Sequence, residues 1–194
     1  LATVPIDSAT PVPAPYAGQR LEILFNATAG TRLSALLDYT GCALPDPVMN
    51  DPGGTEVGAT DSYGGCEGAF IPPVTIAQTG TYRIIVDFYG SSPPDSTVTI
   101  SNVTFGLSLM ATVNGASVGL PISKPGQIGR VTFSGTSGQV IRVAVTGTPI
   151  QGTTSYQIIA PSETVKQTFG RFGTFTSAAV TLDETGTWSV VVDP

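Results

Sequence analysis

The sequence predicts an all-β protein made of two tandem antiparallel β-sandwich modules of the jelly-roll or immunoglobulin-like kind. Three observations support this prediction. The 194 residues include 23 Gly and 16 Pro, which end regular secondary structure at short intervals. Val and Thr, which favour strands, are abundant, whereas Leu, Glu and Lys, which favour helices, are sparse. The chain also contains an internal repeat, so one kind of module occurs twice.

The repeat aligns two blocks of the chain on shared turn and core residues. The stretch from Gly18 to Gly30 aligns with the stretch from Gly126 to Gly138 without a gap. Near the module ends, residues 79–82 (TGTY) align with residues 185–188 (TGTW). The repeat therefore predicts two modules, 1–104 and 105–194, with one shared topology.

Alternation of apolar and polar side chains predicts the strands of each module. Leu21, Ile23 and Phe25 lie on one face of the first aligned strand. The segment 32–37 alone also fits a short helix, but its repeat partner 140–145 is rich in β-branched residues. We therefore predict a strand in both copies.

Glycines predict the turns between these strands. Gly30 and Gly138 stand where a hairpin needs a positive φ, and we expect the same of Gly80 and Gly186 before the last strand of each module. Further turns are predicted at a two-residue hairpin and at two aligned segments: Asn114-Gly115, 52–54 and 161–163.

Charge and composition exclude several classes of function. The chain has no His, which removes His-based triads and the usual zinc or haem ligands. A net charge of −6 with 8 Lys and Arg argues against nucleic acid as a partner. No apolar run approaches the ~20 residues of a membrane-spanning helix. We expect no enzymatic activity, no membrane insertion and no required cofactor.

The two cysteines, Cys42 and Cys66, bear on the compartment. In a Gly-, Pro- and Thr-rich chain they fit one disulfide of a secreted or cell-surface protein, and the alternative is two unrelated buried thiols. The chain begins at Leu1 without a charged and apolar leader. We therefore expect that any signal peptide has been removed or lies outside this sequence, and that further domains of a longer parent chain are partners.

Four motifs occur in a fixed order in module two: Pro125-Gly126-Gln127, Phe133, 135–138 (GTSG) and 184–188 (ETGTW). This order resembles the bacterial pre-peptidase C-terminal domain and related secreted repeats. The resemblance covers nearly the whole chain and is closer in module two, since module one has Ala17 where the family's Pro stands. It implies a non-catalytic β-sandwich appended to secreted peptidases, glycoside hydrolases or surface proteins, some of which bind polymers while others are spacers.

The segment from Cys42 to Pro73 is predicted to be a long acidic loop. Carboxylate oxygens are the ligands that calcium prefers, and Asp46, Asp51 and Asp61 are the candidates. The spacing fits no EF-hand, and a solvated acidic loop is the alternative. A pair of these carboxylates acting as a glycosidase is a weaker hypothesis, because the loop holds little to keep such a pair rigid and dry.

Aromatic residues are the other candidates for binding. An exposed ring can pack against the apolar face of a sugar, and the candidate rings are Tyr63, Phe88, Tyr89 and Phe169. Phe172 or Phe175 is expected to fill the core of module two.

Two functions follow from these observations. The leading hypothesis is an extracellular accessory module that attaches a secreted or surface protein to a polymer, most plausibly a polysaccharide. The alternative is a structural spacer, stalk or assembly repeat with no small ligand. Rings exposed in a line on one sheet face favour the first function, and polar sheet faces favour the second.

Overall fold

The computed structural model of the chain describes residues 3–13, 20–39, 44–60, 68–89, 95–103, 108–147, 154–171 and 173–193. Over these residues the protein has seventeen strands and no helix, so the predicted all-β, antiparallel fold class is confirmed. Within the same residues, no helix exists that could cross a membrane. The chain separates into two compact units, Leu1–Thr104 and Phe105–Pro194, called unit 1 and unit 2 below.

Unit 1 consists of two four-stranded antiparallel sheets. Its strands are β1 (Ala9–Val12), β2 (Leu21–Ala27), β3 (Arg32–Tyr39), β4 (Leu44–Asn50), β5 (Glu56–Ala59), β6 (Ala69–Thr75), β7 (Gly80–Tyr89) and β8 (Ser96–Asn102). One sheet has the order β2-β7-β4-β5 and the other has the order β1-β8-β3-β6.

The core of unit 1 lies between the inner faces of these two sheets. Ile23 and Phe25 alternate along β2 with residues that face outward, and both are at most 1% exposed. Leu33, Ile71 and Ile100 meet them from the other sheet and are equally buried. A cavity of about 10 Å³ is lined mainly by apolar side chains, which is room for about one water-sized sphere. This cavity is too small for a ligand larger than a water molecule.

The prediction of one long loop from Cys42 to Pro73 is wrong, because strands β4, β5 and β6 lie within it. The prolines of this segment are typical of loops, so the sequence did not predict these strands. The carbonyl of Pro47 accepts a hydrogen bond from the Thr60 amide on the β5 side, at 3.1 Å. The missing N–H of Pro47 consequently faces away from β7 and removes no bond of that ladder. Met49, two residues on, is fully buried.

Unit 2 combines a five-stranded sheet with two short ladders. Its strands are β9 (Ser108–Met110), β10 (Gly129–Gly135), β11 (Val140–Ile141), β12 (Ala144–Val145), β13 (Thr154–Ile159), β14 (Val165–Arg171), β15 (Phe175–Thr176), β16 (Val180–Thr181) and β17 (Gly186–Asp193). The large sheet has the order β14-β13-β17-β10-β9, while β11 pairs with β16 and β12 with β15. The strand predicted over 140–145 is therefore divided in two.

The repeat holds in three dimensions for the first sheet of each unit. The order β2-β7-β4-β5 in unit 1 corresponds to β10-β17-β13-β14 in unit 2. Phe25 lies opposite Tyr82, and Phe133 lies opposite Trp188. All four rings are buried. The prediction that the aligned rings occupy the same layer of each core is confirmed.

One of the two pairs of aligned turn glycines keeps the same backbone geometry. Gly30 and Gly138 have φ angles of 85° and 84°, as predicted. Gly186 also has the predicted positive φ, 152°, but Gly80 does not, and the prediction for Gly80 is wrong. Gly80 and Gly186 share a close approach to a proline instead, because an added Cβ would lie 2.6 Å from Cγ of Pro52 and 2.9 Å from Cγ of Pro161, respectively.

The hairpin predicted at Asn114-Gly115 does not form. A turn is present, closed by a hydrogen bond of 2.9 Å from the Gly115 amide to the carbonyl of Thr112. No strand follows it until β10 begins at Gly129. The turn therefore forms without the pair of strands that a hairpin needs.

Candidate functional site

An aromatic cluster in unit 2 contains one of the predicted binding residues. Phe169 on β14 stacks on Tyr156 of the neighbouring strand with ring centroids 5.5 Å apart. Phe175 meets both rings edge-on, at 4.9 Å from Tyr156 and 5.5 Å from Phe169. Burial raises the pKa of the Tyr156 hydroxyl. Phe169 and Phe175 are half-buried, so the cluster is part of the core boundary and leaves part of each ring in contact with solvent.

The side chains of the other predicted aromatic residues lie outside the described part of the structure. Phe88 and Tyr89 end strand β7 opposite β4, and their side chains lie outside the described part of the structure. Tyr63 and Phe172 also lie outside the described residues. Their role in binding stays a prediction.

The predicted calcium ligands are only partly described. Asp46 is exposed on β4, and Asp61 lies outside the described residues. The Asp51 carboxylate accepts hydrogen bonds from the Thr55 amide at 2.8 Å and from Nε2 of Gln78 at 3.1 Å. Among the residues that the structure describes, no three acidic or thiol side chains group closely enough to hold a metal ion. The described contacts of Asp51 are those of a turn-stabilising residue.

The predicted disulfide also falls outside the described residues, because Cys42 and Cys66 are both in such stretches. The bridge stays a prediction. The strands β4, β5 and β6 give it a structural setting, since Cys42 precedes β4 and Cys66 precedes β6. A disulfide would therefore connect the segments that precede β4 and β6, and the chain that it encloses would contain strands β4 and β5 rather than an irregular loop.

Paired charges cover the outer face of β2 and β7 in unit 1. Arg20 binds Asp87 through two hydrogen bonds of 2.7 and 2.9 Å, and this contact raises the pKa of the guanidinium. Arg83 lies 3.4 Å from a carboxylate oxygen of Glu22. Both pairs are partly exposed, so solvent screens their attraction and the face stays solvated.

A second charged cluster joins two turns of unit 2. Nζ of Lys166 lies 2.7 Å from Asp183 and 3.5 Å from Glu184. The hydrogen bond from Lys166 lowers the pKa of Asp183. Glu184 also accepts hydrogen bonds from Ser162, mainly from its hydroxyl at 2.6 Å, and these lower its pKa. Both carboxylates are held ionised and are already paired, which suits structural support rather than proton transfer.

The sequence did not predict the contacts that Glu184 and Gln78 make with neighbouring turns. Glu184 bonds to the turn at Ser162, and the aligned Gln78 bonds to the turn at Asp51. In both units the residue before Thr-Gly therefore ties the last strand to the same neighbouring turn. The alignment of Gln78 with Glu184, and of Pro52 with Pro161, held the signal that could have predicted this contact.

No family model matches the chain, and no curated protein matches it. The geometry of the described residues is therefore the main evidence on function.

Proposed function

We propose that the chain is a structural repeat of a secreted or cell-surface protein, acting as a spacer or assembly module. One observation carries the proposal. Each unit has the same hydrogen-bonded corner at one end of its sandwich, formed by residues 78–82 in unit 1 and 184–188 in unit 2. The ring that donates differs between the units, but it bonds to the same backbone position. A feature that is kept through such substitutions, and that fastens turns to strands, serves the stability of the module.

The corner begins with a buried ring. In unit 1 the Tyr82 hydroxyl donates to the carbonyl of Gln78 at 2.9 Å. In unit 2 Nε1 of Trp188 donates to the carbonyl of Glu184 at 3.1 Å. Tyrosine and tryptophan are different donors, yet each satisfies its polar atom on the carbonyl four residues earlier. This contact fixes the turn before the last strand against the core.

A threonine in the same corner accepts a hydrogen bond from a second turn. The Ala29 amide donates to Oγ1 of Thr79 at 3.0 Å in unit 1. The Ser137 amide donates to Oγ1 of Thr185 at 3.0 Å in unit 2. Two turns distant in sequence are thereby joined in each unit. The shared Thr-Gly-Thr-aromatic motif thus has a mechanical explanation.

The outer sheet faces support the same role. On β2 and β7 the charges are paired as described, and Oγ1 of Thr81 donates to Oδ1 of Asn26 at 2.9 Å. The four large apolar side chains that are most exposed in the described part of the chain include no aromatic ring: Met110, Val118, Val140 and Val165. A solvated polar face is what a spacer needs, because it keeps neighbouring copies from aggregating.

Single-molecule force spectroscopy tests the spacer role. Stretching the chain between two marker domains should give two discrete unfolding steps. At ~3.5 Å per residue, the extended chain spans about 360 Å for unit 1 and about 315 Å for unit 2. Each unfolding step gains that length minus the distance between the ends of the folded unit. An oxidised Cys42–Cys66 bridge would shorten the first step by about 85 Å, and reductant would restore it. The variant Thr185→Val should lower the force of the unit 2 step alone. Extension without discrete steps would contradict the spacer role.

Attachment to a polysaccharide is the second candidate function, and the half-buried rings of Phe169 and Phe175 are the observation that favours it. The test is retention on insoluble polysaccharides with Tyr63, Phe88, Tyr89 and Phe169 changed singly to Ala. Val165→Ala, an exposed change on the same strand as Phe169, is the matched control. A binding site predicts at least a tenfold loss of retention in one aromatic variant and none in the control. Absence of retention on every polymer tested would contradict attachment.

A further inference from the structure

The geometry of the turn at residues 112–115 in unit 2 favours one particular pair of residues. Asn114 has a φ of 59°, in the left-handed region that Asn adopts more readily than most residues with a Cβ. Gly115 follows it, and an added Cβ there would lie 2.9 Å from both Cβ and the carbonyl oxygen of Thr112. A side chain at position 115 would therefore clash with the turn itself. The fold thus favours Asn followed directly by Gly at this place.

Asparagine followed by glycine is a chemically reactive pair. The backbone nitrogen of the second residue can lose its proton and attack Cγ of the Asn side chain, which closes a succinimide ring and expels ammonia. Water then opens the ring at either carbonyl and gives aspartate or isoaspartate. The whole change consumes one water and releases one ammonia, so it needs no enzyme, metal or oxidant. Glycine is the most permissive second residue, because it has no side chain to shield the nitrogen or to restrict the backbone rotation.

The turn leaves both reacting residues open to water. Asn114 and Gly115 are exposed, and the exposed run continues as far as Gly119. The chain forms no strand between the end of β9 at Met110 and the start of β10 at Gly129. Val113, on the other side of Asn114, packs against the core of unit 2. The turn can therefore open on its exposed side while the core stays in place.

One hydrogen bond restrains the nitrogen that would attack. The Gly115 amide donates to the Thr112 carbonyl at 2.9 Å, and it must leave this partner before it can lose its proton. The bond closes an exposed turn, and such bonds open far more readily than a domain unfolds. A single exposed hydrogen bond of this kind should slow the reaction by at most about tenfold.

The other asparagines of the chain provide an internal comparison. Each lies in a strand and precedes a residue with a side chain: Asn26 before Ala27 in β2, Asn50 before Asp51 at the end of β4, and Asn102 before Val103 at the end of β8. The amides of Asp51 and Val103 also donate hydrogen bonds of 2.8 Å to backbone carbonyls. Reaction at these positions would require part of a β-ladder to open, which costs more than opening a turn.

We propose that Asn114 is a site of spontaneous deamidation in the folded protein, and that it converts to isoaspartate and aspartate ahead of every other asparagine in the chain. The reaction uses only the Asn114 side chain, the Gly115 amide and water. Either product adds one negative charge to the exposed segment 114–119, and isoaspartate also lengthens the backbone by one methylene group. The proposal does not depend on the spacer function.

Incubation of the full chain at mildly alkaline pH, followed by proteolysis and mass spectrometry, tests this proposal. The peptide that contains Asn114 should gain the mass difference between an amide and an acid, and chromatography separates isoaspartate from aspartate. Conversion at Asn114 should be at least tenfold faster than at Asn26, Asn50 or Asn102. It should also be within about tenfold of the rate in a synthetic peptide of residues 110–118, in which no fold restrains the pair. The rate should rise with pH, because the attacking nitrogen must be deprotonated.

Asn114→Gly is the matched control, since glycine keeps the positive φ and removes the reactive carboxamide. This variant should show no conversion at position 114. Trp188 fluorescence during the incubation verifies that unit 2 stays folded, so that reaction in unfolded molecules is not mistaken for reaction in the turn.

Two outcomes would overturn the proposal. A rate in the folded chain more than tenfold below that of the synthetic peptide would show that the turn protects Asn114. Conversion at another asparagine as fast as at Asn114 would show that the turn does not single this residue out. Because the synthetic peptide and the other asparagines require no protein variant, the test stands even if Asn114→Gly fails to fold.

Discussion

Loss of one buried ring should destabilise one unit and leave the other unchanged. Phe133 is 7% exposed and lies opposite Trp188 in unit 2, and Phe25 is 0% exposed and lies opposite Tyr82 in unit 1. Replacing a buried Phe by Ala costs about 3–5 kcal/mol, because transfer free energy is lost and a cavity remains. A unit of this size has a total stability of roughly 5–15 kcal/mol. Each variant thus removes a large share of the stability of its own unit.

The assay follows from the single tryptophan of the chain, Trp188, which lies in the core of unit 2. Its fluorescence reports the unfolding of unit 2 alone, while circular dichroism reports both units. With an m-value of about 1.5 kcal/mol/M in urea, a loss of about 4 kcal/mol lowers the midpoint by nearly 3 M. Phe133→Ala should shift the fluorescence midpoint by that amount, and Phe25→Ala should shift only the circular dichroism transition. Equal fluorescence shifts in both variants would refute the assignment of a separate core to each unit.

Three further predictions concern the turns and the charges. Gly80→Ala and Gly186→Ala should each destabilise their own unit by about 1–3 kcal/mol in urea unfolding, because the new methyl group meets Pro52 or Pro161, and an unchanged midpoint would show that the proline moves aside. The pKa values of Asp183 and Glu184 are lowered in the folded state, so their stabilisation is complete above the unfolded-state values and is lost as the pH falls through the folded ones. The urea midpoint of Trp188 fluorescence should therefore decrease once the pH is lowered below about 4.5, and it should decrease less in Glu184→Gln. An identical pH profile for that variant would contradict the role of the cluster. Reduction of the predicted Cys42–Cys66 bond should lower the stability of unit 1 by about 3 kcal/mol without moving the Trp188 midpoint, whereas free thiols in the oxidised protein would show that the bond is absent.

The sequence predicted the parts of the fold that depend on local pattern. Alternating side chains identified β2 and β10, and the need for a positive φ identified Gly30 and Gly138. The repeat resolved the helix-or-strand ambiguity at 32–37 correctly, since β3 covers it. Each of these features is decided by residues close together in the chain.

The errors occurred where pairing with a distant strand decides the structure. Prolines in β4 and β6 read as loop residues because their cost depends on which side of the strand has a neighbour. Residues 140–145 have a better strand composition than 32–37, yet they form the shorter strands, because the partner supplied by β8 in unit 1 has no described counterpart in unit 2. A repeat alignment compares residues and does not show which strand is missing.

The candidate site was the least predictable part for the same reason. Phe169 gained its place in the aromatic cluster from cross-strand pairing with Tyr156. Glu184 gained its role from a contact with Ser162 that is 22 residues away. Neither contact is visible in local composition.

Amide hydrogen exchange tests the central claim most directly, that each unit has the same kind of sandwich and that, among the described residues, β3 pairs on both sides whereas β11 and β12 pair on one side only. The backbone amides of Ser34 and Leu36 face β8. Those of the aligned Arg142 and Ala144 point away from β15 and β16, because Val143 between them directs its own backbone groups to Ser177. The account predicts strong protection of the first two amides and exchange at least a hundredfold faster at the second two, while Val143, bonded to Ser177, is protected. Comparable protection at all four positions would contradict the claim, because a strand would then cover both edges.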